Sequence, residues 1–441
     1  MTTTTLLARR RFLPLFITQL LNAFNDNLYK NAMVLFVVYQ VYNSESAEAT
    51  FSAVATALFI IPFFLLSGLS GQLADMRDKA RIIRIVKAAE IGIMAVGGAG
   101  LLLAYHDMMD GNIAIGLMLL ALGAMGVHST FFGPIKYAIL PQHLQKGEVL
   151  AGTGLVEAGT YIAILAGTIL AGFISAETAA FCVFVTAIIG YVAGRQVPPA
   201  PAQEPGELLD RNIWRSTIAV VKGSQADRQV WLAILAISFF WTIGAVLFIQ
   251  FPPLAKNVLL ASKQVASLFL VIFSIGVALG SVGINRLLMN TVSARHAPLS
   301  VIAMGVFVAA FWFVCTLWPT ARIDGLMDIP DFVAQPLALP LLGALLLIAV
   351  AGGMFVVPLY AFLTTRVAPS QAARTIAANN IVNSGAMTVG SLLAFGLSQA
   401  GVPVVDQLLL TAAMCLISAW LAGLLVKAER AEATAEADQA I

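Results

Sequence analysis

Charge is what this 441-residue sequence has least of: Lys, Arg, Asp and Glu together make up 11% of it, against about 25% in soluble domains. That scarcity excludes a soluble globular protein. Cysteine is scarce too. The three that occur, Cys182, Cys315 and Cys415, all fall inside apolar runs. They read as small buried residues and exclude a disulfide framework or a thiolate metal site. The four histidines show no ligand spacing. No glycine-rich loop ending in Lys-Ser/Thr is present, which removes ATP as a direct driver. Nucleophile elbow, zinc-ligand spacing and acyltransferase His-Asp pair are missing as well, and almost no polar stretch is long enough to build a soluble domain. The sequence therefore reads as a non-enzyme without a cofactor. A net charge of +2 carries no information about nucleic acid, and no such partner is expected. Residues 1–11 are polar then basic, and the run after them is too long and too polar for a cleaved signal peptide.

What is present is apolar sequence: 59% of the residues are hydrophobic, with a mean hydropathy of +0.89. A bilayer-spanning helix needs about 20 mostly apolar residues. Twelve such runs are predicted, at 12–42, 51–74, 82–104, 113–132, 149–173 and 179–197, then at 229–253, 265–288, 298–317, 337–363, 375–397 and 404–426. The expected fold class is an all-α membrane protein of twelve transmembrane helices in two six-helix halves. The N-terminal half is 1–197, a cytoplasmic linker 198–228, the C-terminal half 229–427, and a disordered cytoplasmic tail 428–441. The linker assignment rests on the proline-rich run Pro198-Pro199-Ala200-Pro201-Ala202-Gln203-Glu204-Pro205-Gly206, followed by a short surface helix at 210–222. The tail alternates Ala with Glu.

Lys and Arg set the orientation. One side collects Arg9 to Arg11, Arg77 to Lys87, Lys136, Lys146, Arg195 to Arg228, Arg286, Arg295, Arg366, Arg374, Lys427 and Arg430. The other has Lys256, Lys263 and Arg322. Positive charge stays inside, so both termini and the linker are expected in the cytoplasm. An internal repeat supports the two halves. Pro134-Ile135-Lys136-Tyr137-Ala138 resembles Pro358-Leu359-Tyr360-Ala361, and Gly154-Leu155-Val156-Glu157-Ala158-Gly159 resembles Asn380-Ile381-Val382-Asn383-Ser384-Gly385. Halves related in this way place a substrate cavity at their interface, near the midplane.

The first apolar run holds the densest polar stretch, Asn22-Ala23-Phe24-Asn25-Asp26-Asn27-Leu28-Tyr29-Lys30-Asn31. Asn22, Asp26 and Lys30 are four apart and share a helix face. A charge at mid-membrane costs at least about 2.5–3.5 kcal/mol on insertion scales and usually faces a cavity or a partner. Two readings stand: an Asp26–Lys30 pair that neutralises itself, or a polar face lining a path, with Asn27 on it. Glu157, among small residues, is either a packing carboxyl or a cavity carboxylate for an ammonium or a proton. Asn379, Asn380 and Asn383 are either interhelical glue or headgroup contacts. Glu90, three after Lys87, reads as an ion-pair partner of the cytoplasmic basic cluster, and His128 as a packing histidine.

Gly71-Gln72-Leu73-Ala74-Asp75-Met76-Arg77-Asp78-Lys79-Ala80-Arg81 resembles the loop signature of the major facilitator superfamily. Asp78 stands where the second glycine is familiar. In this motif Gly71 allows close helix approach. Asp75 pairs with a basic residue such as Arg81, or caps a helix start, and latches the cytoplasmic side; Arg77 and Lys136 are assigned to the same gate. Gly133-Pro134-Ile135-Lys136-Tyr137-Ala138-Ile139-Leu140-Pro141-Gln142, with the stretches at Asp26 and Glu157, narrows the resemblance. These look like the bacterial lysophospholipid transporters of that superfamily, and like the transporter-like domain fused to acylglycerophosphoethanolamine acyltransferases. Gln142 departs from an expected glutamate, and the seventh run lacks an arginine, leaving Gln250 as its strong polar group.

The resemblance implies a secondary transporter in the bacterial inner membrane. It would flip lysophospholipid, chiefly lysophosphatidylethanolamine, toward the cytoplasmic leaflet by alternating access. An acyltransferase is then an implied partner, alongside the lipid bilayer. A drug or small-metabolite antiporter and a non-transporting partner of an acyltransferase are the other two readings. The orientation makes a direct prediction. A cysteine introduced near Ser44 or Asp107 should label from outside, and one near Gln203 only after permeabilisation. Labelling of the linker in intact cells would reverse the topology.

Overall fold

The computed structural model describes residues 3–41, 45–202, 209–319 and 325–439. Tyr42 at the end of the first predicted run, the labelling position Ser44, Gln203 to Gly206 of the linker, and Arg322 lie outside the described residues. Twelve long helices account for most of the rest: α1 Leu13–Phe36, α2 Glu45–Met76, α3 Lys79–Tyr105, α4 Gly111–Ala138, α5 Lys146–Phe173, α6 Ala176–Arg195, α7 Arg228–Pro253, α8 Lys263–Leu287, α9 Ala297–Thr316, α10 Ala338–Thr365, α11 Ala372–Gln399 and α12 Val404–Gln439. Among the described residues eleven helices are apolar and long enough to cross a membrane. The twelfth, α1, has the length, but Gln19, Asn22, Asn25, Asp26, Asn27, Lys30 and Asn31 dilute its hydropathy. Bulky apolar side chains point outward, including Phe173 (85% exposed) and Leu339 (80%). Such surface is tolerated where lipid, rather than water, surrounds the helices.

Local sequence sets the helix ends. Asp78 accepts from the N–H groups of Ala80 and Arg81 at the start of α3, Asp110 from Asn112 at α4, Ser175 from Thr178 at α6, and Asp227 from Gln229 and Val230 at α7. Each satisfies donors that a helix start leaves open. The linker begins pinned to these ends. The N–H of Ala200 donates to Asp78 Oδ1 at 3.3 Å, its carbonyl accepts from Lys79, and His143 Nε2 donates to the Pro199 carbonyl at 3.4 Å. Burial pushes the His143 imidazole below its ordinary pKa, so at neutral pH it makes this contact uncharged. The expected surface helix is present at Ile213–Gln225.

By contacts the chain divides into two compact units, Met1–Gly223 with Val367–Ile381, and Ser224–Arg366 with Val382–Ile441. In the first, α1 packs on α5 and α6, α3 on α4 and α6, and α2 on α4. In the second, α7 packs on α12, α9 on α10 and α12, and α8 on α10. Four of these pairs recur with a six-helix offset. The start of α11 goes with the first unit because Asp75 on α2 holds it. The tail was expected to be disordered; instead α12 continues as helix to Gln439. Ala and Glu are strong helix formers. Glu432 is tied to Arg366 at 2.5 Å and to Gln229 at 2.5 Å.

The interior of the first unit is anchored by an ion pair. Lys87 and Glu90 on α3 are both fully buried and bonded to each other. Asn25 Nδ2 on α1 donates to Glu90 at 2.8 Å, His128 Nε2 on α4 lies 3.5 Å from it, and Lys87 Nζ reaches Asn22 Oδ1 at 3.4 Å. Glycine at 190 on α6 makes this possible, since a Cβ there would sit 2.9 Å from Lys87 Cε. The pair ties α1, α3 and α4 together beside α6. Removing one member of such a pair costs about 3–5 kcal/mol, because the other charge is left buried alone. Glu90→Gln should therefore lower the melting temperature and yield of the purified protein sharply, and adding Lys87→Met should restore both. A Glu90→Gln protein as stable as its parent would remove the pair from this role.

Candidate functional site

The polar face of α1 is buried rather than exposed to lipid. Gln19, Asn22, Asn25 and Asp26 are all under one tenth exposed. Asp26 Oδ2 accepts from Ser129 Oγ on α4 at 2.6 Å and from Asn22 Nδ2 at 3.1 Å. The other oxygen, Oδ1, is buried without a hydrogen-bond partner. Glu157 on α5 repeats this arrangement. Its Oε1 accepts from the Tyr137 hydroxyl, and its Oε2 is buried without a partner. Nearby, Thr160 Oγ1 donates to Gln19 Oε1 at 2.9 Å, which joins α5 to α1.

The cations sit on aromatic rings. Lys30 Nζ lies 5.6 Å from the centroid of Phe59 on α2, and among the described residues it makes no ion pair within 4 Å. The Asp26–Lys30 pair, one of the two readings of this face, is therefore not formed. Four-residue spacing puts both on one face, but the long lysine stem turns to the ring, where a cation is also stabilised. Lys136 Nζ lies 4.9 Å from the Tyr137 ring centroid and 3.4 Å from Thr160 Oγ1. It was expected at the cytoplasmic gate; it belongs instead to the buried group around Glu157. Asn27 turns back on its own helix, with Nδ2 donating to the Ala23 carbonyl at 2.9 Å. That bond uses its donor locally.

The expected residues of the second unit bond within it. Ser238 Oγ on α7 donates to Asn383 Oδ1 at 2.7 Å, and Gln250 Nε2 reaches Gln407 Oε1 at 3.4 Å. Asn379 is fully buried in the part of α11 assigned to the first unit. Asn380, beside it, brings Nδ2 to 3.6 Å from where a Cβ on Gly133 would be.

The gate residues divide. Asp75 takes the second of its two expected roles, capping a helix: its oxygens accept from the N–H groups of Ala373 and Arg374 at 3.0 and 2.9 Å, the first turn of α11. A carboxylate there satisfies open donors and meets the positive end of the helix dipole. Gly71 lets this happen, since a Cβ on it would be 2.9 Å from Arg374 Cα. The nearest ion-pair partner is Lys79 at 3.9 Å, not Arg81. Arg77 and Arg81 are exposed and stand apart from this contact.

Sequence reasoning paired Glu90 with Lys87 and gave His128 a packing role, but passed over Ser129, Tyr137 and Thr160 as members of the buried network. A signal existed for Tyr137 and Thr160, which lie within one turn of Lys136 and Glu157. No sequence signal links Asn22 to Lys87 or Asp26 to Ser129. Taken together, two carboxylates with one committed and one open oxygen lie in the same unit as two ammonium groups held on rings. Such a set can meet a zwitterion, the carboxylates taking a cationic group and the ammonium groups an anionic one.

Comparison with known proteins bears on this arrangement. The chain is 27% identical over 399 residues to the lysophospholipid transporter LplT of Klebsiella pneumoniae, covering 88% of this chain and 87% of that one. It is 25% identical over 406 residues to LplT of Serratia proteamaculans, covering 90% of each. Among solved structures, the human organic anion transporter MFSD10 superposes with a TM-score of 0.72 at 13% identity, over 94% of this chain and 99% of that one. The proton:xylose symporter XylE gives 0.66 at 11% identity, over 96% of each. These likenesses establish the fold. The family model of the Major Facilitator Superfamily matches residues 15–329, and the chain belongs to that superfamily.

Proposed function

We propose that this transporter moves lysophospholipid, chiefly lysophosphatidylethanolamine, across the bacterial inner membrane toward the cytoplasmic leaflet, with both termini in the cytoplasm. The observation that carries the reading is the pair of buried carboxylates, Asp26 and Glu157, each with one oxygen unbonded. An unpaired buried acceptor is costly and is retained where something else supplies its partner. The headgroup ammonium is a donor of that kind. Its phosphate meets Lys30 and Lys136, and Asn22 with Asn379 and Asn380 adds amide donors. Gln250 and Asn383 are the polar groups of the second unit assigned to substrate contact in this reading. The relatives named as lysophospholipid transporters support the substrate class. Reacylation of the delivered lipid gives an acyltransferase as the natural partner.

Flux of labelled lysophosphatidylethanolamine into vesicles holding only the purified protein, with and without an imposed proton gradient, tests the proposal. Absence of flux would favour a non-transporting partner of an acyltransferase. Equal competition by unrelated amphiphiles would favour a drug antiporter. In this assay Asp26→Asn should fold, since Asn can still accept from Ser129 and no charge pair is broken. It should lose most transport. Wild-type flux from Asp26→Asn would make the carboxylate structural only.

Asp75 acts elsewhere. It holds the first turn of α11, so Asp75→Ala should shift the balance of conformational states. The expected result is slower turnover with apparent substrate affinity nearly unchanged. A large loss of affinity at full turnover would place Asp75 at the substrate instead.

A further inference from the structure

The short helix Ile213–Gln225, with sequence IWRSTIAVVKGSQ, is amphipathic in an inverted sense. Its buried stripe is made of small residues, Ser216, Thr217 and Val220. Its bulky apolar residues are outside: Trp214 is 61% exposed and Ile218, one turn on, is 53% exposed. Arg211, just before the helix, and Arg215 and Lys222 on it are exposed as well. They fall three or four residues from Trp214 and Ile218, so cations and apolar groups share one face.

The small residues face inward because that side lies directly on α2. A Cβ on Gly68 would come within 2.9 Å of the Thr217 backbone. Gln72, one turn along α2, donates to Ser216 Oγ at 2.6 Å and accepts from the N–H of Asp210 at 3.2 Å. Gly68 lies inside the apolar span Val54–Met76, roughly 12 Å from its end at 1.5 Å per residue. The short helix is thus held beside the apolar, membrane-spanning stretch of α2.

A helix face turned to water gains nothing from Trp and Ile, and an apolar protein partner gains nothing from three cations around them. The combination fits an interfacial helix, with the indole in the boundary layer and basic groups on anionic headgroups. Asp210, one residue before Arg211, is bound by Arg215 at 2.5 Å. That hydrogen bond holds the Asp210 carboxyl below its usual range, while the exposed Arg211 and Lys222 flank Trp214 and Ile218.

We infer that the helix Ile213–Gln225 docks on the anionic lipid surface of the cytoplasmic leaflet, with Trp214 and Ile218 in the boundary layer and Arg211, Arg215 and Lys222 on the headgroups. The inference uses the cytoplasmic orientation of the linker and is independent of the transported substrate. It has a consequence within the first unit. Gln72 holds this helix, and Asp75, three residues later on α2, holds the start of α11. The charge of the leaflet is therefore linked to the α11 anchor through one turn of α2.

The test places a nitroxide label on Ile218→Cys in the full chain, with the labelled parent chain as the blank for the native cysteines. Vesicles of phosphatidylcholine alone are compared with vesicles enriched in phosphatidylglycerol. With phosphatidylglycerol the label should be more accessible to oxygen than to a water-soluble nickel chelate. In phosphatidylcholine alone, or with Arg211→Gln and Lys222→Gln added, the ratio should fall toward that of a water-exposed site. A label that reads as water-exposed in both vesicles overturns the inference and leaves the face to a soluble protein. Equal burial in both vesicles overturns the requirement for anionic lipid. None of these readings depends on transport, so failure of the substrate assignment is seen separately.

Discussion

The structure depends on one constraint: a charge or hydrogen-bonding group inside a helix bundle in lipid must be met by another group or be left at a cost of several kcal/mol. Lys87 and Glu90 show how closely the fold follows it. Neither reaches solvent, so each must be answered inside the bundle. They answer one another, and Asn25, Asn22 and His128 come from two other helices to complete the set. The glycine at 190 is the steric counterpart, since any larger residue on α6 would occupy the space of the lysine stem. A single pair of charges thus links α1, α3 and α4, with α6 leaving room for it at Gly190. The same network fixes Asn22, and Asn22 in turn helps to fix Asp26.

Against that background Asp26 and Glu157 stand out. The fold commits one oxygen of each, to Ser129 and Tyr137, and leaves the second without a partner. Native structures leave few buried polar atoms unsatisfied, and intramembrane ionisable groups concentrate on transport pathways. Open atoms occur around Lys87 as well, at Asn25 Oδ1 and His128 Nε2; what distinguishes Asp26 and Glu157 from Glu90 is that, among the described residues, neither carboxyl has an ion-pair partner within 4 Å.

Much of this was legible in advance, for identifiable reasons. Hydropathy marks the spans because a helix in lipid has to be apolar over a fixed length, and Asp78 and Asp227 mark helix starts through local bonds. Asn22 and Asp26 share a bond because four-residue spacing guarantees proximity. Spacing does not choose a rotamer, so it placed Lys30 beside Asp26 when the ammonium in fact lies over Phe59. Lys136, at the end of an apolar run, was grouped with the cytoplasmic cations, whereas its flexible stem carries the charge back to Thr160. The three-residue spacing of Lys87 and Glu90 made their ion pair legible, but not its burial, because the partners that enclose it, Asn22, Asn25 and His128, come from distant parts of the chain. The charged, alanine-rich tail was read as disordered. What holds it as helix is Glu432, whose partners Arg366 and Gln229 lie 66 and 203 residues away.

The repeat gives a control on what the architecture itself requires. Four helix pairs recur, among them α2 with α4 as α8 with α10, and α3 with α6 as α9 with α12; among the described residues the α1–α5 pair that carries Glu157 has no comparable pair in the second unit. The chemistry at matching positions differs. Tyr137 donates to a carboxylate, Glu157, whereas Tyr360 accepts from the indole of Trp241 at 2.8 Å. Where the first unit has Glu157, the second has Asn383, satisfied by Ser238, and the residue matching Lys136 is absent from Pro358-Leu359-Tyr360-Ala361. Charges at 136 and 157 burden the first unit with desolvation that the second avoids, so packing alone does not account for them. They are the residues for which the proposed zwitterionic substrate supplies a physical reason.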